Sequence, residues 1–259
     1  MGRTPTTLVI LGCLGVALFL VPLAGLLRRV PWSDLPALLG SDLVLDALRL
    51  SLVASLSATL ISLLLGVPLA WLLARVEFPG RALVRGIVML PLVLPPVVGG
   101  AALLFALGRR GLVGEPLYEA TGLLLPFSTW GVILATTFVA MPFMVITVEG
   151  ALRSVDRRFE GVAATLGARR WTVLRRVTMP MIVPSLVSGL VLTWARAFGE
   201  FGATITFAGN LAGRTQTLPL AVFVALETDR DAAVAISLLM VAVSLTVLVT
   251  LRDRWWKAL

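Results

Sequence analysis

The sequence predicts an all-α integral membrane protein with six transmembrane helices and both termini in the cytoplasm. Three observations lead there. The 259 residues are 58% hydrophobic and 14% charged, with a mean hydropathy of +0.99, whereas an average soluble domain is roughly 25% charged. Apolar runs long enough to cross a hydrocarbon core of about 30 Å recur along the chain. Lys and Arg are also divided unevenly between alternate loops.

Six runs are assigned as spans: 8–27, 47–74, 86–107, 130–149, 182–207 and 232–251. The first is too long for a signal-peptide core, and Arg28 and Arg29 follow it instead of a small-residue cleavage site, so it is read as a retained helix. The N-terminus, second loop, fourth loop and C-terminus together carry 14 Lys or Arg residues against six in the other three loops, which places both termini in the cytoplasm. The net charge of +8 is therefore read as a topological signal, and no nucleic-acid partner is expected. The whole chain, 1–259, forms one transmembrane domain, and its longest loop, 150–181, is cytoplasmic.

Composition narrows the chemistry. The chain has no His, a single Cys at position 13 and a single Lys at position 257. His-dependent triads, HExxH zinc sites, CxxC pairs and a Walker A lysine are thereby excluded, so neither a metal site, a bound cofactor nor an ATPase site of its own is expected. Cys13 reads as an inert apolar filler.

The loop 150–181 is the most informative segment. In DRRFEGVAATLGARRWTVLRRVTMP, Phe159, Val162, Ala163 and Leu166 fall at i, i+3, i+4 and i+7, the pattern of a short amphipathic helix. Gly167 stands where a left-handed cap would end it. A second short helix carries Trp171, Leu174 and Val177 on one face, and Met179-Pro180 is expected to break it before the next span. Periodicity alone suits an interfacial helix pair whose arginines meet anionic lipid headgroups.

Two spans carry unusual features. The third opens GIVMLPLVLPPVVGG, with Pro91, Pro95 and Pro96 followed by Gly99 and Gly100. Backbone freed of hydrogen bonds at this depth must be buried or line a watery cavity, so the segment is either a packed kink or part of a passage. The fifth carries WARAFGEFGATITFAGN, in which Arg196 and Glu200 are four residues apart and can neutralise one another, as pathway groups or as a structural pair. In the second span Ala54, Ala58, Ser62 and Gly66 form a small-residue stripe suited to close helix packing.

The loop resembles the EAA motif of ABC importer permeases: Gly167, nine residues, Val177, one residue, then Met179-Pro180, with Ala163 at the second Ala of the triplet. The strict Glu position is Gly161, with Glu160 one residue before it, and Val162 takes the first Ala. Together with LPLVLPPVVGG, ARAFGEFGATITF and GRRGLVGEPLY, it makes the chain from about Leu45 to Leu226 similar to the membrane subunit of molybdate-type ABC importers, close to the sulfate and tungstate permeases. The resemblance implies a type I importer fold and a homodimer in a prokaryotic cytoplasmic membrane. It also implies two cytoplasmic ATPase subunits that use the ATP, and an extracytoplasmic protein that delivers the oxyanion. It implies that Phe159, Glu160, Val162, Ala163, Ala164, Leu166 and Gly167 form a coupling helix docked on the ATPase. Pro91, Pro95, Pro96, Gly99, Arg196 and Glu200 are the candidates for the pathway or gate that the residues themselves suggest. A secondary anion transporter or a membrane enzyme fits less well, since no repeated pair of broken helices and no converging acid and base groups are seen.

Overall fold

The computed structural model describes residues 5–250, and among them every regular element is helical. In chain order the helices are α1 (Thr6–Arg28), α2 (Leu35–Leu39), α3 (Asp42–Arg75), α4 (Arg81–Val93), α5 (Pro96–Leu107), α6 (Gly114–Thr121), α7 (Thr129–Ser154), α8 (Arg157–Thr165), α9 (Arg170–Phe198), α10 (Gly202–Phe207), α11 (Leu218–Thr228) and α12 (Arg230–Thr250). Among the described residues, five of these, α1, α3, α7, α9 and α12, are long and apolar enough to cross a membrane.

The bundle is built around α7. A helix that is apolar on every side belongs in a protein core or against lipid, and α7 takes the central place, meeting α3, α9, α5 and α10. Met144, Val145 and Val148 pack with Ala70 and Leu73 of α3 and Ile182 of α9, whereas Ala135 and Val139 pack with Ala203 and Phe207 of α10. The small-residue stripe of α3 is what lets α7 approach: Ala54, Ala58, Ser62 and Gly66 are all buried, and a Cβ on Gly66 would lie 3.3 Å from Met144. By contrast α1 has no buried residue and touches α12 lightly, leaving Cys13 exposed. The thiol thus fills no internal gap within this chain.

Several boundaries differ from the sequence expectation, each for a local reason. The expected span 86–107 is two helices, because Leu94 and Pro95 each precede a proline and are driven to extended backbone (ψ 140° and 132°). The expected span 182–207 ends at Phe198, and after Gly199, Glu200 and Phe201 the chain restarts as α10. Met179-Pro180 does not break the chain, since α9 runs through it by a π-helical turn over Leu174–Thr178. A second π turn, Ser62–Gly66, precedes Pro68 in α3. In both places the wider turn relieves the proline ring of its clash with the carbonyl one turn back.

Extension of α7 to Ser154 and of α9 back to Arg170 shortens the connection between them to 155–169, in place of 150–181. Helix α11 lies in what reads as a loop; Leu218, Leu220 and Ala221 are buried, and the Leu218 amide donates to Ser51 Oγ of α3 at 2.7 Å. The remaining spans shift by a few residues, and Leu251 of the last expected span lies outside the described residues.

Candidate coupling and translocation sites

Helix α8 starts at Asp156, whose carboxylate accepts from the Arg158 amide at 2.9 Å. It ends at Gly167 (φ 83°), where the Gly167 amide donates to Ala164 O (3.0 Å) and the Ala168 amide to Ala163 O (3.1 Å). Those two bonds define a Schellman cap, which needs the left-handed residue that glycine supplies without strain. The helix is oriented contrary to an ordinary amphipathic helix: Phe159, Val162 and Leu166 are exposed (57%, 60% and 83%), as is Trp171 (71%) at the start of α9. The acidic residue instead points inward, where Glu160 Oε1 accepts from Arg75 Nη2 at 2.8 Å and from Thr178 Oγ1 at 2.9 Å. Ala163 is half-buried, and Ala164 lines a cavity of about 320 Å³ beneath the helix with Trp71, Arg75 and Arg170.

A second charge cluster, not anticipated from the sequence, lies at the same end of the bundle. Glu149 of α7 is buried, and its Oε1 receives Arg85 Nη2 (2.6 Å) and Nε (3.0 Å) from α4 and Arg153 Nη2 (2.9 Å) from the next turn. Arg85 Nη2 also donates to Leu73 O of α3 at 3.3 Å. Three helices are thereby joined through one guanidinium, that of Arg85. The sequence signal was a Glu inside an apolar run, which needs a cationic partner; Arg153 stands four residues on, but Arg85 is 64 residues away.

Just beyond the end of α4, which extends about 12 Å from Arg85 to Val93, the two interrupted helices meet. A Cβ on Gly202 would lie 2.8 Å from Pro96 Cβ, and one on Gly100 would lie 2.7 Å from Ala203 O. The proline break and the glycine break are thus one junction between α5 and α10. Gly99 packs beside it against Phe138 of α7, while Pro91 is accommodated inside α4 and Pro95 forms the break itself. Arg196 and Glu200 form an ion pair at 2.7 Å (Nη1 to Oε2), with Glu200 buried and Arg196 partly exposed. The pair stands at the end of α9, two residues before its last residue and two after, and not at mid-helix. Glu200 Oε1 also accepts from the Ala203 amide at 2.7 Å, so this carboxylate closes the start of α10 as well as neutralising Arg196.

Comparison with known proteins assigns this architecture. Residues 44–259 match the family described as binding-protein-dependent transport system inner membrane component. The chain belongs to that family. Among relatives of this transport family, the molybdenum transport system permease protein ModB of Mycobacterium tuberculosis is 50% identical over 232 residues, covering 89% of this chain and 87% of that protein. ModB of Escherichia coli K12 is 44% identical over 210 residues (81% and 92%), and the sulfate transport system permease protein CysT of the same organism is 34% identical over 235 residues (89% and 84%). The fold is shared with a bacterial alginate ABC transporter solved with its alginate pentasaccharide-bound periplasmic protein, at a TM-score of 0.78, 21% identity and coverage of 95% and 91%. This transport-permease membership agrees with the lack of a phosphate-binding loop in the sequence: the chain is a multi-pass membrane subunit without an ATPase site of its own.

Proposed function

We propose that this chain is the membrane passage of an ATP-driven importer of molybdate. Two copies form the passage, two ATPase subunits attach at the α8 end, and an extracytoplasmic binding protein delivers the anion at the other. The observation that carries this reading is the outward apolar face of α8, Phe159, Val162 and Leu166, on a helix whose acidic residue is turned inward. An apolar face of that kind, beside Trp171, suits a groove on a protein partner better than water. The choice of anion rests on the gradient of identity, 50% and 44% to molybdenum permeases against 34% to a sulfate permease.

Six crossings follow if α4 and α5 together make the third, with α8 and both termini in the cytoplasm, as the arginine distribution favours. The arrangement belongs in a prokaryotic cytoplasmic membrane. Support for a second copy comes from α4 and α5, which expose Ile87, Leu90, Val93, Val97 and Val98 in the single chain. The α5–α10 junction serves as the gate, because irregular backbone within a membrane is tolerated where protein or a watery cavity receives it. Selectivity lies outside this passage: Arg196 is already neutralised by Glu200, which leaves it poorly suited to hold a dianion tightly. ATP closure in the partner then moves α8 as a rigid body and tilts the helices attached to it. No cofactor is required of this chain.

The test is co-reconstitution with its ATPase and binding protein, followed by ATP hydrolysis and uptake with molybdate, tungstate and sulfate in parallel. Stimulation and uptake strongest with molybdate or tungstate are expected. Equal or greater response to sulfate would overturn the choice of anion, and uptake independent of ATP would overturn the importer reading altogether.

A further inference from the structure

Helix α8 has two covalent anchors, α7 through residues 155–156 and α9 through residues 166–169, and neither involves α3. The only described polar link from α8 to α3 is made by Glu160. Its Oε1 accepts from Arg75 Nη2 (2.8 Å), which belongs to the last residue of α3, and from Thr178 Oγ1 (2.9 Å), which lies in the π turn of α9. The Arg75 side chain is 9% exposed and that of Glu160 25%. A guanidinium this buried requires a counter-charge, and a charge-assisted bond in such a setting is among the stronger polar contacts a protein makes.

We propose that Glu160 is a positioning residue that acts inside this chain: with Arg75 and Thr178 it forms a strut that makes α3 move with α8. This rests on the reading of α8 as the element docked to the ATPase. The strut explains why an acidic residue at this place is turned away from the exposed apolar face. Displacement of α8 would reach α7 and α9 through the backbone, but it would reach α3 only through packing if the strut were cut. Since α3 packs along both α7 and α9 through its small-residue stripe, an α3 that lags behind would leave the passage partly closed while ATP is consumed.

The experiment uses the reconstituted complex with a Cys13→Ser background and reads anion imported per ATP hydrolysed. Glu160→Gln and Arg75→Gln should each lower that ratio about tenfold, the equivalent of one charge-assisted hydrogen bond. The double variant should be no worse than either, as for partners in one interaction, and the ATPase should co-purify normally in all three. Arg75→Lys, which keeps the charge, should restore most of the ratio. Thr178→Val, nearly isosteric and least prone to misfold, should lower it about threefold through loss of a neutral hydrogen bond. An unchanged ratio in Thr178→Val and in whichever of the charge variants assembles overturns the strut. So does loss of ATPase association in Glu160→Gln but not in Arg75→Gln, because Glu160 would then face the partner. A cysteine at Val162 separates the two readings: failure to cross-link to the ATPase sinks the docking assignment, whereas cross-linking with an unchanged ratio sinks the strut alone.

Discussion

The α8 end and the α5–α10 junction solve the same problem, bringing distant stretches of chain together, by opposite means. At the α8 end the links are charges: Arg75 with Glu160, and Arg85 and Arg153 with Glu149. At the junction the links are missing side chains, Gly100 against Ala203 and Gly202 against Pro96. Under the proposed topology, depth accounts for the difference. Near the headgroups an arginine can keep part of its hydration while pairing, so ionic links are affordable, whereas deep in an apolar run close backbone approach is the cheaper contact. Ionic links are directional and break when a charge is neutralised. Close-packed glycines are sterically fixed and break when a methyl is added. The first kind suits a rigid lever and the second a surface that slides or parts.

The comparison breaks most visibly at Glu149. Glu149→Ala should destabilise the folded subunit by about 3 kcal/mol, because Arg85 loses its partner beside a buried wall and α4 loses its link to α7. Arg153→Ala, which removes a half-exposed partner and leaves Arg85 in place, should cost under about 1 kcal/mol. Resistance to unfolding in mixed detergent micelles checks both, and equal effects would mean that Arg85 does not anchor α4. At the other region, Gly100→Val should cost about 2 kcal/mol by overpacking against the α10 backbone, which cannot swing aside as a side chain can. If the junction is the proposed gate, uptake should fall further than assembly in this variant. Normal uptake would remove α5–α10 from the gate.

Much of this contrast was legible in the sequence at the level of single residues and of the local pair Arg196–Glu200, and illegible at the level of distant pairs. Hydropathy located most of the spans because a membrane helix must be apolar along its own length. Gly167 was legible because a cap is local, its two bonds reaching back to Ala164 and Ala163. Arg85, which meets Glu149, and Arg75, which meets Glu160, lie 64 and 85 residues away, and no periodicity encodes such a pairing. Helix α11 escaped because its 11 residues fall short of a span and its role, packing on α3 and α12, shows only in three dimensions. The prolines announced a disruption near Pro95, but the meeting of that break with Gly202 depends on how α9 ends.

The Arg196–Glu200 pair sharpens the comparison, since it is an ionic link placed in the glycine-built region, and its expected effects are smaller than that of Glu149→Ala. The two partners are not equivalent. Glu200 is buried and holds two contacts, Arg196 at 2.7 Å and the Ala203 amide at 2.7 Å, whereas Arg196 is partly exposed and can turn toward a polar surface. Arg196→Gln leaves a buried carboxylate with one oxygen still hydrogen-bonded to Ala203, so the cost should be about 2 kcal/mol, below that of a fully orphaned charge. Glu200→Gln keeps an oxygen that can accept from Ala203 and leaves an arginine with an escape, so about 1 kcal/mol is expected. Joining the two changes removes the unpaired charge in either state, and the double variant should recover part of the loss seen with Arg196→Gln. A double-mutant cycle on assembled-complex yield reads this coupling, and competition between molybdate and sulfate for uptake reads selectivity. Preference should stay with molybdate throughout while the rate changes. If Arg196→Gln assembled as well as the parent and altered which anion is carried, the junction would be reading the substrate, and an ionic contact would have been placed there for recognition and not to close the end of α9 onto α10.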